Sequence, residues 1–321
     1  MIKMTIEQIK SWIGDYSAVY ITGHVHPDGD CIGAALGLQE LLAAHGVAAK
    51  IMLESLPDTY SFLPRFAEIK VQAPAEIEVL LVVDCNDPSR FTPFLASYEQ
   101  AKVVINIDHH ELPKQLITAP ERCWIKPEAS STSEMIYDLF AQSGTPLTKA
   151  AAEDLYTGII FDTGGFMHSN TQPSTMNAAG KLMEAGIDFG YIMKRLFHRQ
   201  TLPKLLAKKA ALQNFCLLGG GKIGAAFLTN QELTENQLKK DDTEDIVHLL
   251  AQLEGTEAAV FLAEFQPGVY KLSFRSRGEL DVCEIAKVFG GGGHKKAAGA
   301  SSELPLAELL TAVEKEISQR L

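Results

Sequence analysis

Four short apolar runs, at 18–23 (AVYITG), 48–53, 79–84 (VLLVVD) and 102–108 (KVVINID), are rich in Val and Ile and show no polar alternation. Such runs predict strands buried on both faces, as in a parallel sheet covered by helices on either side. Helix-prone sequence separates them, so this part reads as an α/β domain, doubly wound around a mostly parallel sheet. After residue 130 the period becomes helical. SSTSEMIYDLFAQSG opens on Ser and Thr caps, with Glu134 in the first turn, and closes on glycine. Further helices are expected over roughly 148–161, 173–186, 188–198 and 201–214.

Near 215 the pattern changes again. FCLLGGGKIGAAFLT and TEAAVFLAEFQPGVYKLSFRS predict strands joined by glycine turns, and LDVCEIAKVF predicts a helix. The expected organisation is a first domain over 1–195, a basic helical linker over 196–214 and a smaller α+β C-terminal domain over 215–321. The 321 residues, 46% of them hydrophobic, suffice for two cores.

Composition narrows the class. MIKMTIEQIKSWIG is charged and amphipathic, and no run approaches eighteen apolar residues, so a soluble, cytoplasmic protein without a membrane partner is expected. Five cysteines, none in a C-x-x-C spacing, suggest reduced thiols and neither a disulfide framework nor a cysteine metal site. A net charge of −11 argues against coating long duplex nucleic acid. It leaves room for a small anion in a local cationic pocket.

Four stations end apolar runs with acids or histidines: HVHPDGD at 24–30, Asp84 in VVDCND, Asp108 to His110 in INIDHH, and Asp162 in GIIFDTGG. Each alone is good turn or cap chemistry. Strand C-termini of an open parallel sheet gather on one edge, however, so the stations can meet. Two carboxylates 4 Å apart repel by about 4 kcal/mol at an effective dielectric near 20, and a converging set needs protons or cations. Mixed imidazole and carboxylate donors suit Mn²⁺, Fe²⁺ or Co²⁺ better than Mg²⁺ or Ca²⁺. Six donors are about right for two ions sharing bridging carboxylates, a standard device for displacement at phosphorus.

The motifs HVHPDGD, VVDCND, DHH at 108–110, SSTSEMIYDL, YTGIIFDTGGFMHSNTQPST, SFRS and GGGGHKKAAGA run in one order over nearly the whole chain. In this the chain resembles the DHH phosphoesterase superfamily with its DHH-associated C-terminal domain. Length and the SSTSE stretch are similar to the NrnA-type nano-RNases and adenosine 3′,5′-bisphosphate (pAp) phosphatases. The resemblance implies that His24, Asp28, Asp84 and Asp162 hold one metal ion and Asp30, Asp84, His109 and Asp162 the other. Mn²⁺ is the expected ion. Asp108 would orient an imidazole, and His110 would stabilise charge on the scissile phosphate or donate a proton. Gly29 and Gly33 would let backbone pass close to the ions and substrate. His26 and His168 are not implied ligands, and Ala34 stands where many members have serine.

In the C-terminal domain, the resemblance implies a substrate clamp of Arg275 and Ser276 facing one cleft with Gly291, Gly292, Gly293 and His294, the glycines exposing N–H groups to phosphate beside Lys295 and Lys296. The implied activity is metal-dependent hydrolysis of oligoribonucleotides of about two to five residues and removal of phosphate from pAp. Expected partners are short RNA, pAp or dinucleotides, with a homodimer left open and no long duplex. Rival readings are a cyclic or linear dinucleotide phosphodiesterase, an inorganic pyrophosphatase, and a noncatalytic nucleotide-binding regulator.

Overall fold

The structure, a computed structural model, describes residues 4–74, 76–198 and 200–321, the side chains of 91–93 excepted. The chain divides into two compact units, Met1–Arg199 and Gln200–Leu321.

In the first unit, β1 (Val19–Thr22), β2 (Ala49–Ile51), β3 (Val79–Val83), β4 (Val103–Asp108) and β5 (Cys123–Ile125) form a sheet of order β2-β1-β3-β4-β5. Every pairing is parallel. The order reverses between β1 and β3, which opens a crevice at their carboxyl ends. The unalternating sequence has a direct cause. Val79, Leu81 and Val83 of β3 enter one apolar cluster while Leu80 and Val82 enter another on the opposite face. The strand β5 was not foreseen; CWI is too short to carry a period of its own.

Seven helices belong to this unit among the described residues: α1 (Ile6–Ile13), α2 (Gly29–Ala44), α3 (Leu95–Gln100), α4 (Thr132–Ser143), α5 (Lys149–Asp162), α6 (Pro173–Glu184) and α7 (Phe189–Phe197). The α2–α5 contact positions the site. A Cβ at Gly33 would collide with the Asp154 carbonyl oxygen, and one at Gly29 would lie 2.7 Å from Phe161 Cβ. These glycines therefore bring α2 close against α5. Ala34 is fully buried in the main apolar cluster.

The second unit begins with α8 (Leu202–Gln213). This is the helix read as a linker, but its Ala207, Ala210 and Ala211 pack with Ala226, Leu228 and Ala259 of the adjoining sheet. That sheet comprises β6 (Cys216–Leu218), β7 (Ile223–Leu228), β8 (Ala258–Gln266), β9 (Val269–Ser276), β10 (Gly292–His294) and β11 (Ala297–Ser302), in the order β10-β11-β9-β8-β7-β6. Only β7 with β8 is parallel. Helices α9 (Asn230–Glu235) and α10 (Ile246–Ala251) share a cluster with α8, while α11 (Val282–Val288) and α12 (Leu306–Ser318) cover the other face. Among the described residues no helix is long and apolar enough to cross a membrane.

Candidate metal centre

Three of the four acid and histidine stations sit where strands end. After β1 the chain turns through His24 to Asp28, the N-cap of α2, whose Oδ1 accepts from the backbone N–H of Asp30 (3.0 Å) and Cys31 (3.1 Å). Capping the helix thus fixes both aspartates of the turn. His24 Nδ1 lies 2.8 Å from the Val25 carbonyl, which can only accept, so the proton is on Nδ1. Its Nε2 is left facing Asp84 Oδ2 at 3.3 Å and Asp28 Oδ2 at 3.7 Å. A carbonyl behind the far nitrogen is the usual support of a metal-ligating histidine.

Asp84 follows β3 with φ +54°, a left-handed conformation uncommon outside glycine. Neighbouring strands hold it there. Its N–H donates to the Ile107 carbonyl at 3.0 Å, and Asn106 of β4 donates to the Val82 (3.1 Å) and Cys85 (2.8 Å) carbonyls on either side. The carboxylate thereby reaches both histidines, with Oδ1 3.5 Å from His109 Nε2. His109 also stands 3.1 Å from Asp162 Oδ2 and 3.9 Å from Asp30 Oδ2. Asp162 departs from the strand-end pattern: it is the last residue of the helix α5.

The start of α4 supports these donors. The N–H groups of Thr132 and Ser133 donate to Asp30 Oδ2 (2.6 Å) and Oδ1 (2.8 Å), and Thr132 Oγ1 donates to Asp84 Oδ1 at 3.2 Å. A Cβ on Gly158 would collide with Ser133 Oγ and lie 2.8 Å from Asp30 Oδ1, so the α5 glycine leaves the cradle its room. Glu134 is buried and accepts from Ser130 N (3.1 Å), Ser130 Oγ (2.6 Å) and Thr175 Oγ1 (2.9 Å). Burial alone would raise its pKa, but these bonds hold it below the usual carboxylate range. Asn170 ties the Ser130 and Asp162 carbonyls together.

Asp108 Oδ1 accepts from His110 N (3.2 Å) and lies 2.8 Å from His110 Nδ1. That bond raises the His110 pKa more than burial lowers it. His26 is exposed, 3.7 Å from Glu54. His168 folds back onto the Asp162 carbonyl at 3.0 Å.

Charge balance shows what the cluster could hold. Burial favours neutral imidazoles, yet Asp28 and Asp84 raise the His24 pKa to about 10, and Asp162, Asp30 and Asp84 raise that of His109 to about 10. Asp30 is driven well up, by burial first and then by Asp84 and Asp162. Burial also raises Asp84, against the pull of His24. Asp28 alone of this set moves down: burial, the largest single influence, raises it, but the bond and charge of His24 with the N–H groups of Cys31 and Asp30 together outweigh burial. Without an ion the carboxylates draw protons onto their neighbours; divalent cations would supply that charge instead. Donor atoms converge within 4.8 Å in three groups, His24–Cys31–Asp84, Asp84–His109–His110 and Asp30–His109–Asp162. These groups could hold metal ions.

In the second unit, Arg275 of β9 donates from Nη1 to the Phe274 carbonyl (2.9 Å) and lies 3.2 Å from His248 Nε2 through Nη2. Ser276 does not share its face. Successive strand residues point to opposite sides, and the Ser276 hydroxyl donates to the Leu280 carbonyl at 2.7 Å. The residue on the Arg275 face is Ser273. The glycine run is partly strand: Gly292, Gly293 and His294 form β10, an edge strand paired antiparallel with Gly299, Ala298 and Ala297. A Cβ on Gly291 would collide with the Gly299 carbonyl oxygen. His294 remains exposed on this edge strand, Lys295 pairs with Glu279 at 2.9 Å, and Lys296 donates to the Gly278 carbonyl.

Residues 18–159 match the family model described as DHH family, N-terminal domain, and residues 220–320 match that of the DHHA1 domain. A bifunctional oligoribonuclease and PAP phosphatase NrnA of Thermus thermophilus is 33% identical, over 88% of this chain and 83% of that protein. The chain belongs to the DHH family. A second relative with the same printed name, from Bacillus subtilis, is 30% identical over 93% of both chains. The crystal structure of an exopolyphosphatase-related protein from Bacteroides fragilis superposes with a TM-score of 0.86 at 25% identity, over 98% of this chain and 95% of that one.

In this DHH-family chain, several residues of the site were not anticipated. Cys31, set aside as an ordinary thiol, is fully buried beside His24 and Asp84, and burial pushes its pKa well up, so it is a neutral thiol there. Its signal was position alone, directly after Asp30. Asn106 had a clearer one: an amide inside the apolar run VVINI demands partners. Thr132 and Asn170 carried no signal that separates them from ordinary cap and turn residues.

Proposed function

We propose that this DHH-family phosphoesterase hydrolyses short oligoribonucleotides to mononucleotides and dephosphorylates pAp to AMP. The observation that carries the reading is Asp84, buried between His24 and His109 in one cluster of six side chains able to ligate metal. The activities printed in the names of the two NrnA relatives support the substrate class.

His24, Asp28, Asp84 and Asp162 would hold one divalent ion, and Asp30, Asp84, His109 and Asp162 a second, with Mn²⁺ best suited to the mixed donors and Fe²⁺, Co²⁺ or Mg²⁺ as alternatives. Such a pair supplies Lewis-acid stabilisation of displacement at phosphorus. Asp108 holds the His110 ring in place and favours its charged form, which suits His110 to donate a hydrogen bond to phosphate or a proton to a leaving oxygen. The buried amides of Thr132 and Ser133 fix Asp30, so little rearrangement is needed when substrate arrives. In the second unit, Arg275 and His294 are the side chains suited to a nucleotide phosphate.

The test is Mn²⁺-dependent hydrolysis of 5′-labelled pApA, a five-residue RNA, a long RNA, pAp and cyclic di-AMP, with Asp84→Ala as control. Loss of the short RNAs and pAp while the long RNA survives, abolished in the variant, supports the reading. Turnover confined to pApA or cyclic di-AMP would move the protein to nucleotide signalling, and full activity of Asp84→Ala would sink the metal assignment.

A further inference from the structure

Three cysteines of the first unit, Cys31, Cys85 and Cys123, are buried. Two of them give the thiol proton to a carbonyl, Cys85 to Asp87 at 3.4 Å and Cys123 to Thr118 at 3.8 Å. Cys31 is fully buried, and among the described residues its thiol donates to no acceptor. It is also the cysteine that joins a donor group: Cys31 Sγ, a His24 ring nitrogen and an Asp84 carboxylate oxygen lie within 4.8 Å of one another.

Two features aim the sulfur. The Cys31 N–H donates to Asp28 Oδ1 at 3.1 Å, so the cap that fixes Asp28 fixes residue 31 as well. A Cβ on Gly23 would collide with Cys31 Sγ and lie 3.1 Å from the Val83 carbonyl oxygen. The sulfur therefore sits at the seam of β1 and β3, against the residues that immediately precede His24 and Asp84, and only a glycine at 23 leaves it that place. Donors around one transition-metal ion, at bond lengths of about 2.0–2.3 Å, stand about 3–4.4 Å apart. The group closes on an ion with shifts of a few tenths of an ångström.

We propose that Cys31 is a sulfur ligand of the ion held by His24, Asp28, Asp84 and Asp162. The inference rests on the two-ion reading above and deepens it. When the ion binds, a metal–sulfur bond forms and the thiol proton leaves to solvent. The two positions are then unequal. One offers nitrogen, oxygen and sulfur, while the position of Asp30, Asp84, His109 and Asp162 offers nitrogen and oxygen alone. Sulfur favours Zn²⁺ or Fe²⁺ in the first, and Mn²⁺ suits the second. The centre therefore selects a different metal at each position.

The test is Co²⁺ loading of the full chain after chelation, read by optical absorption and by X-ray absorption at the cobalt edge. The unaltered protein should show a sulfur-to-cobalt charge-transfer band in the near ultraviolet and a cobalt–sulfur distance of about 2.3 Å. Cys31→Ser should lose the band while keeping the visible cobalt bands of the remaining donors. Its preference for Zn²⁺ over Mn²⁺ should shift toward Mn²⁺, serine being the harder donor. Cys123→Ser, which removes a buried thiol outside the donor groups, should keep the band. The cobalt-edge measurement needs no variant, so it decides the matter even where Cys31→Ser fails to fold. Bound cobalt without a sulfur neighbour in the unaltered protein, or a band that survives in Cys31→Ser, overturns the sulfur ligand and leaves the two-ion reading standing. An unaltered protein that binds no cobalt overturns both.

Discussion

The backbone N–H of Thr132 donates to the Asp30 carboxylate at 2.6 Å, joining two fully buried residues 102 positions apart. The first turn of α4 offers N–H groups with no partner inside the helix, and an acid from the first turn of α2 satisfies two of them. Structural economy and metal chemistry coincide here: the bond that completes α4 also aims Asp30 toward His109.

Gly158→Ala tests how tightly that cradle is built. The added methyl must push on Ser133 Oγ and Asp30 Oδ1. Metal affinity should fall about 10- to 100-fold, as for other groups that orient a ligand. Calorimetric titration of the ion checks this, with circular dichroism to show that the fold persists; an unchanged affinity contradicts the cradle.

Asn106→Leu removes the donors to the Val82 and Cys85 carbonyls that hold Asp84 at positive φ. Two buried acceptors are left unpaired, a loss of about 2–4 kcal/mol. Urea unfolding in chelator should show that loss, and the variant should bind metal more weakly than a variant of equal stability altered elsewhere. Equal binding by the two would confine Asn106 to a structural role.

The ion-free centre should weaken as the solution becomes alkaline. His24 and His109 stand at about 10 against an ordinary 6.5, so their stabilising protonation is complete below about 6.5 and is lost as pH rises toward 10. Asp30 and Asp84, also raised, act in the same sense at lower pH, while the depressed Asp28 acts oppositely and only on acidification. The melting temperature in chelator should therefore decline between pH 7 and pH 9.5. Divalent-ion affinity should rise over the same interval, because binding displaces protons. Titration in buffers of different ionisation enthalpy measures that release; no proton release at pH 7 would contradict the charge balance described.

Arg65→Met probes a buried pair behind the site. Arg65 Nη2 lies 2.7 Å from Asp154 Oδ2 and also donates to the Leu36 carbonyl at 2.7 Å, linking the 57–66 segment to α2 and α5. Burial raises the Asp154 pKa to about 7 although Arg65 pulls it down. Removing the cation should cost about 3–5 kcal/mol at pH 8, where the carboxyl must ionise or stay protonated against solvent. The cost should shrink at pH 5, where Asp154 is protonated already. Equal losses at both pH values would assign the cost to the other Arg65 contacts, the Leu36 carbonyl and the Glu40 carboxylate 3.2 Å away, and not to the Asp154 charge.

The parts of this fold that sequence made legible are those with a local signature. A polar residue closing an apolar run marks a strand end, and His24, Asp84 and His109 are found by that rule. Asp162 obeyed it by accident, since GIIFD is a helix end whose buried face mimics a strand run. Ser276 lies on the opposite face from Arg275 because adjacency in sequence is opposition on a strand, and the pairing of the glycine run was hidden because its partner, β11, lies after it and carries small residues of no evident strand propensity. Gly158, Asn106 and Thr132 act through neighbours far along the chain, so no window of sequence contains both halves of the interaction.

The candidate ligands span residues 24 to 162, and the parallel sheet demands a long crossover before each new strand. On a ribosome adding about 5–20 residues per second, between roughly 7 and 28 s separate synthesis of His24 from that of Asp162. Throughout that interval the nascent chain carries the acids of a site it cannot yet close. The DHH-family centre therefore cannot close until Asp162 has been made, half-way along the 321 residues.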